Sequence, residues 1–201
     1  MGPLLVALGY LCGTIPSGVL LARSAGIDVR GSGSGNIGAT NVARTAGMRL
    51  GLLTLVADVV KGIVPVTVAR LVVGGDVVPA VTGLAAFLGH LFPPALRFAG
   101  GKGVATALGA SLALYPLATL PAVAAFALTL AISGWVSLGS MVAAAVAPVA
   151  LMAIGGYPRP DVATAVAMAA LIMLRHRDNV RRMRAGTEPK VLPKKQATPV
   201  K

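Results

Sequence analysis

The run Gly33-Ser34-Gly35-Asn36-Ile37-Gly38 fits G-x-G-x-x-G, the pattern of a phosphate-cradling turn. Asp58 stands twenty residues past Gly38, where a dinucleotide-binding loop keeps its ribose-binding acid. Glycines at 31, 33, 35 and 38 free the backbone to turn its N–H groups toward an anion. Ser34, Asn36, Thr40 and Asn41 add short hydrogen-bonding side chains, and Arg44 adds a planar cationic fork. A second segment, Phe98–Thr106 (FAGGKGVAT), superficially resembles a P-loop. It fails the G-x-x-x-x-G-K-[ST] pattern at Leu96 and again at Gly103, which follows Lys102. It still offers consecutive glycines, a lysine and a helix N-terminus near Gly103, and such a terminus suits a phosphate. In a third segment, Arg175–Lys190 (RHRDNVRRMRAGTEPK), His176 shares a helical face with Asn179 at i+3. A titratable base beside an amide at a basic surface is a plausible catalytic pair; a basic run there ordinarily only grips anionic headgroups.

The elements around these residues decide which chemistry survives. Of 201 residues, 56% are hydrophobic and 12% charged, about half the charge of a soluble domain. Mean hydropathy is +0.82. Such a chain cannot cover itself with polar surface, so its class is an all-α integral membrane protein. Apolar segments fall at about 3–22, 50–73, 77–96, 103–115, 117–134, 138–156 and 160–174. Most approach the ~20 residues of a helical span, and 103–115 is short. Pro121 and Pro148 are expected kinks. Residues 1–186 read as one membrane domain and 187–201 as a basic, disordered tail. The N-terminus has no basic n-region and reads as a retained first helix. In this setting the dinucleotide reading fails, because its fingerprint must follow a strand and open a helix in a parallel sheet. Here the loop follows a membrane helix and Asp58 falls inside the next one.

Charge placement orients the chain. Seven passes with the N-terminus outside put Arg23, Arg30, Arg44, Arg49, Arg97, Lys102 and the nine basic residues from Arg175 onward on the cytoplasmic side. Merging 103–134 into one span would separate the tail from the first two loops, against the positive-inside rule. All three polar segments then share the cytoplasmic face. The net charge of +12 therefore reads as membrane orientation, with no nucleic-acid partner. Asp58 and Lys61 form an intramembrane i, i+3 pair, expected to fix helix packing and border the site, and His90 reads as an interfacial structural histidine. Cys12 reads as packing. With two histidines and no acidic cluster, no metal site is expected.

Taken in order, these segments resemble the acyl-phosphate:glycerol-3-phosphate acyltransferase (PlsY) family of small bacterial inner-membrane enzymes of phospholipid synthesis. The resemblance rests on GTIPSG (13–18), GSGNIGATNVAR (33–44), DVVKGIVPV (58–66), GHLFPPALRFAGGKGVAT (89–106), SLGSM (137–141) and RHRDNVRRMRAGTEPK (175–190), nearly the whole chain. It implies a seven-helix enzyme without a cofactor that moves a fatty acyl group from acyl-phosphate to the 1-hydroxyl of glycerol-3-phosphate. The products are lysophosphatidate and phosphate. By matching positions it implies catalytic Ser34, Arg44, Lys102, His176 and Asn179, and a Gly100-Gly101-Lys102-Gly103 loop that binds glycerol-3-phosphate. The expected substrate-binding set adds Gly33, Gly35, Asn36, Thr40, Asn41, Thr106, Ser137 and Arg175, with Ser140 competing for the role of Ser137. Glu188 is implied to be structural. Ala99 departs from the lysine of many members, which shifts phosphate affinity toward Lys102. Expected partners are the two substrates, membrane lipids and, further off, the upstream enzyme that forms the acyl-phosphate.

The residues support that chemistry independently. Two Gly-rich anion cradles with Arg and Lys suit two phosphorylated substrates, and small side chains suit an acyl chain. An acyl phosphate has a good leaving group, so the protein mainly needs to hold donor and hydroxyl together and stabilise charge. Direct attack by the hydroxyl is expected, with an acyl-enzyme through Ser34 as the alternative. The histidine–four residues–aspartate signature of acyl-CoA-dependent enzymes is absent, since His90 reaches Ala95 and His176 reaches Arg181. The rival from another class is a small anion or phosphate transporter, which Gly-rich loops, a half-membrane helix and buried charges would also suit.

Overall fold

A computed structural model describes residues 1–190; residues 191–201, most of the expected tail, lie outside it. Among the described residues the chain is all helix. The helices are α1 (Gly2–Gly13), α2 (Ser17–Ser24), α3 (Ala39–Ala46), α4 (Met48–Val72), α5 (Val77–Leu91), α6 (Val104–Leu114), α7 (Pro116–Ser133), α8 (Val136–Ile154), α9 (Arg159–Arg175) and α10 (Arg177–Arg184), with a 3-10 turn at Pro94–Leu96. Gly2–Ser24, Met48–Val72, Val77–Leu96, Pro116–Ser133 and Val136–Ile154 are long and apolar enough to cross a membrane, and Val104–Leu114 is a shorter apolar helix. The protein is a multi-span integral membrane protein. Exposed Leu4, Leu8, Leu11, Leu52, Leu71 and Leu128 line its outside, a surface that water would penalise and lipid does not.

The first span differs from the unbroken helix expected over 3–22. It breaks between Gly13 and Ser17, because Pro16 lacks an N–H and disfavours helical backbone in the residue before it. The break leaves the Ile15 carbonyl free to accept a hydrogen bond from Lys61 Nζ at 2.9 Å. Pro121 and Pro148, expected as kinks, lie inside continuous α7 and α8.

Small residues bring the backbones together, as membrane packing requires. A Cβ at Gly109 would lie 2.0 Å from the Val59 carbonyl oxygen, so α6 seats flush on α4. The main core gathers Val66, Phe87, Leu91, Leu114, Tyr115, Leu151, Met168 and Ile172 around α5, α6 and α9. A second cluster of Val19, Val29, Ile37, Val42 and Leu96 pins the Gly-rich loop onto α2 and α3. Helix α3 lies within what reads as loop in the sequence. It is short, and buries only Asn41 and Val42.

Candidate active site

The loop before α3 is built around one buried amide. Asn41 is 2% exposed; its Nδ2 donates to the carbonyls of Val29, Ser32 and Asn36 at 2.9–3.1 Å, and its Oδ1 accepts from Ser34 N at 2.9 Å. Gly33 and Gly35 adopt φ of +59° and +70°, a region that other residues enter at a steric cost. Asn36 Oδ1 accepts from Gly38 N at 2.8 Å and closes the turn into α3. This scaffold holds Ser34 exposed at the rim, and α3 carries Thr40 and Arg44 on one face. Arg44 makes no hydrogen bond or ion pair among the described residues. Asn41, expected to bind substrate, has its amide committed to the loop.

The second loop lies against the end of α5. Gly100 N donates to Leu91 O at 3.1 Å and Gly101 N to His90 O at 3.2 Å. A Cβ on Gly101 would fall 2.1 Å from His90 Nε2, so only glycine permits this approach. Arg175 reaches down from α9, donating through Nη2 to the carbonyls of Gly100 and Gly101 at 2.7 and 3.0 Å. Arg175 thus braces the loop. Lys102 is left pointing inward, where its Nζ donates to Asn179 Oδ1. Burial lowers the Lys102 pKa to about 8, with Glu188 opposing that shift.

The third wall comes from the turn between α9 and α10. His176 is 2% exposed, and its Nδ1 sits 2.8 Å from the Ile172 carbonyl oxygen. A carbonyl only accepts, so the proton resides on Nδ1 and Nε2 keeps its lone pair. Burial, and then the Lys102 charge, lower the imidazole pKa to about 4, so it is neutral at pH 7. Asn179 Nδ2 donates to Glu188 Oε1 at 2.6 Å, and so does Ser137 Oγ at 2.6 Å. Arg182 Nε donates to Glu188 Oε2 at 2.7 Å. Burial alone would raise the Glu188 pKa, but these three donors together bring it below the ordinary value. Residues 187–190, read from sequence as the start of a disordered tail, are therefore held over the site.

These three walls enclose a cavity of about 580 Å³. Ser34, Asn36, Thr40, Asn41, Arg44, Lys102, Gly103, Ser137, Ser140, His176, Asn179 and Glu188 all line it, together with Asp58 and His90. A polar recess of about 490 Å³ adjoins it, walled by Arg30, Gly35, Ala99, Gly100, Arg175, Arg177 and the single carboxylate of Asp178, and sharing Ser34, Asn36, Lys102, Asn179 and Arg182. Gly33, Gly101 and Thr106 line neither. Thr106 was expected at the substrate, but its hydroxyl is fully buried without a partner. Sequence reading missed Arg182, which walls both spaces; nothing distinguished it among five nearby arginines. Of the two competing serines, Ser137 is committed to Glu188, whereas Ser140 donates to its own helix at Val136 O. Beneath the loop, Asp58 Oδ1 accepts from Ser17 Oγ and from Lys61 Nζ, the latter at 2.9 Å, and lies 3.7 Å from His90 Nδ1.

Cations and amides thus gather at one end of a largely apolar cavity. The profile described as glycerol-3-phosphate acyltransferase matches residues 3–186. The chain belongs to the glycerol-3-phosphate acyltransferase family. Among its relatives, a glycerol-3-phosphate acyltransferase of Geotalea daltonii is 50% identical over 92% of this chain and 94% of its own. One of Geobacter sulfurreducens is 49% identical over 92% and 95%. The crystal structure of PlsY, an integral membrane glycerol 3-phosphate acyltransferase, in its glycerol 3-phosphate form superposes with a TM-score of 0.91 at 39% identity, covering 95% of this chain and 96% of that one. Its lysophosphatidic acid form gives 0.88 at 39% identity, covering 94% of each chain. The family is the one the ordered motifs resemble, and the glycerol-3-phosphate acyltransferase fold is the one described above.

Proposed function

We infer that this chain transfers a fatty acyl group from acyl-phosphate to the 1-hydroxyl of glycerol-3-phosphate, giving lysophosphatidate and phosphate. The observation that carries the reading is the continuity of one cavity from Ser34, Arg44 and Lys102 into an apolar interior. A donor with a phosphate head and a fatty tail fits both ends at once. The adjoining cationic recess, with Arg30 and Arg177 at its edge, suits the second phosphate.

In this reading Arg44 and Lys102 neutralise phosphate charge, Ser34 positions the donor, and His176 with Asn179 orients the hydroxyl. The hydroxyl oxygen attacks the acyl carbonyl carbon, the carbon–oxygen bond to phosphate breaks, and phosphate departs with the electron pair. The proton needs an acceptor. With a pKa of about 4, His176 is a weak one; a phosphate whose second ionisation lies near 6 is stronger. His176 Nε2, which can only accept, then holds the neighbouring hydroxyl of glycerol-3-phosphate and so places the 1-hydroxyl in line, while a substrate phosphate takes the 1-hydroxyl proton. The Ser34 hydroxyl hydrogen-bonds no base among the described residues, which favours direct attack over an acyl-enzyme.

The site faces the cytoplasm of a bacterial inner membrane, N-terminus outside, in keeping with the concentration of basic residues on that side. The enzyme that makes the acyl-phosphate is its expected supplier. The test is incubation of purified protein with acyl-phosphate and glycerol-3-phosphate, without CoA or metal, following phosphate release. Silence there with turnover of acyl-CoA would overturn the donor. Phosphate flux in proteoliposomes without acyl product would favour a transporter.

A further inference from the structure

The apolar part of the cavity has an end. It lies between α6 and α7, which are joined at Tyr115, and α8 and α9 supply its remaining walls. Tyr115 lines it and is 1% exposed. Two contacts hold the ring: Ser111 Oγ donates to its hydroxyl at 3.0 Å, and Tyr157 packs edge-on at 6.3 Å. Thr119 Oγ1 donates to the Tyr115 main-chain carbonyl at 3.0 Å and tightens the turn that carries it. A side chain held this way cannot swing aside for a longer ligand without breaking those contacts.

Three helices measure the depth independently. Twelve residues separate Gly103 at the polar mouth from Tyr115, ten separate Ser137 from Ala147, and eleven separate His176 from Ala165; all six residues line the cavity. At 1.5 Å per residue these spans are about 18, 15 and 16 Å. The hydrocarbon core of a bilayer is roughly 30 Å thick, so one leaflet, the reach of one membrane acyl chain, is about 15 Å. The walls near the floor carry small residues, Ala144, Ala147 and Ala165, which leave room for a chain down to Tyr115.

We propose that Tyr115 is the floor of an acyl-chain ruler. The cavity takes a chain of membrane-lipid length with its terminal methyl at the Tyr115 ring, and it discriminates against longer ones. The proposal rests on the acyl-phosphate reading above and adds a specificity-determining residue to it. Val123, 43% exposed, lines one flank, so the alternative is a tail that leaves sideways into lipid and is not measured at all.

The experiment is a competition. Purified protein receives equal amounts of lauroyl, palmitoyl and arachidoyl phosphate with glycerol-3-phosphate, and the lysophosphatidate products are weighed by mass spectrometry. Ratios between chains cancel any uniform loss of activity. The wild-type protein is expected to favour palmitoyl over arachidoyl. Ala147→Leu adds bulk to the lower cavity and raises the lauroyl-to-palmitoyl product ratio about tenfold, the scale set by methylene-sized differences in an apolar pocket. Tyr115→Ala removes the floor and raises the arachidoyl-to-palmitoyl ratio by a similar factor. Product formed equally from all three chains, or ratios unchanged in both variants, would overturn the ruler while leaving the acyl-phosphate reading intact. No product from any chain would overturn that reading itself.

Discussion

Lys102 and Asn179, seventy-seven residues apart, join the glycine loop to α10 through a single hydrogen bond from Nζ to Oδ1. Asn179 then donates to Glu188, which also receives Ser137 and Arg182. One cation of the cavity wall is thus oriented by a chain of hydrogen bonds that draws in α10, Glu188 and, through Ser137, α8. Because burial holds the Lys102 pKa near 8, its charge is present at neutral pH and disappears as pH rises through that value. Both substrates keep fully charged phosphates there, since the second phosphate ionisation lies near 6. The alkaline limb of kcat/KM therefore reports Lys102 and falls above about pH 8. Lys102→Arg, always charged, moves that limb upward; Lys102→Ala lowers kcat/KM about 100-fold or more. An alkaline limb unmoved by Lys102→Arg would assign it to another group.

Glu188 ties the end of the described chain to the site. Its carboxylate is 5% exposed and takes three donors, so its charge is stabilised in the folded state and its pKa is depressed. The stability it adds is present above the unfolded carboxylate pKa and is lost as pH falls through the lower folded value. Glu188→Ala leaves Ser137, Asn179 and Arg182 without their acceptor, and should cost about 1–3 kcal/mol at pH 7. Thermal unfolding in detergent at pH 7 and at pH 3 measures it; the difference between wild type and variant should shrink at the lower pH.

Around the second loop, two substitutions should act in opposite directions. Gly101→Ala puts a Cβ 2.1 Å from His90 Nε2, which lifts the loop from α5 and moves Lys102. We expect KM for glycerol-3-phosphate to rise about tenfold, as expected when a positioning contact is displaced. Ala99→Lys adds a cation to the wall of the polar recess and should lower that KM about two- to fivefold, the scale of an exposed charge pair. Steady-state kinetics with glycerol-3-phosphate varied separates the two. Equal KM in all three proteins would remove the recess as the acceptor's site.

Hydropathy located the apolar helices within a few residues, five of them long and apolar enough to cross a membrane, and the order of the polar segments revealed the family. What it could not show was direction. Asn41 and Thr106 are types that bind substrates, yet one turns into its own loop and the other into the helix packing. Composition is the same either way, and only the backbone path decides. The break before Pro16 and the eight-residue α3 were hidden because neither interrupts nor extends an apolar run enough to register. Arg182 was masked by identical neighbours, whereas Glu188 was legible as a structural residue only through the family resemblance, its three donors lying far apart in sequence or among residues of no distinctive pattern.

The buried pair under the loop offers the sharpest separation of stability from function. Asp58 and Lys61 are 2% and 5% exposed. Lys61 Nζ is shared between Asp58 Oδ1 and the Ile15 carbonyl that the helix break exposes, both at 2.9 Å. Removing one partner strands a charge in a medium that solvates it poorly. Asp58→Asn or Lys61→Met alone should therefore cost about 3–5 kcal/mol. The double variant has no charge to strand, so its stability should return toward, or pass, that of the wild type. Asp58 lines the main cavity beside His90 whereas Lys61 does not, so function need not follow. If Asp58 helps seat His90, and through it Gly101 and Lys102, the double variant stays folded yet keeps a raised KM for glycerol-3-phosphate. Thermal melts paired with kinetics on the four proteins read both quantities. A double variant as unstable as the singles would show that the Ser17 and Ile15 contacts, rather than unpaired charge, carry the cost.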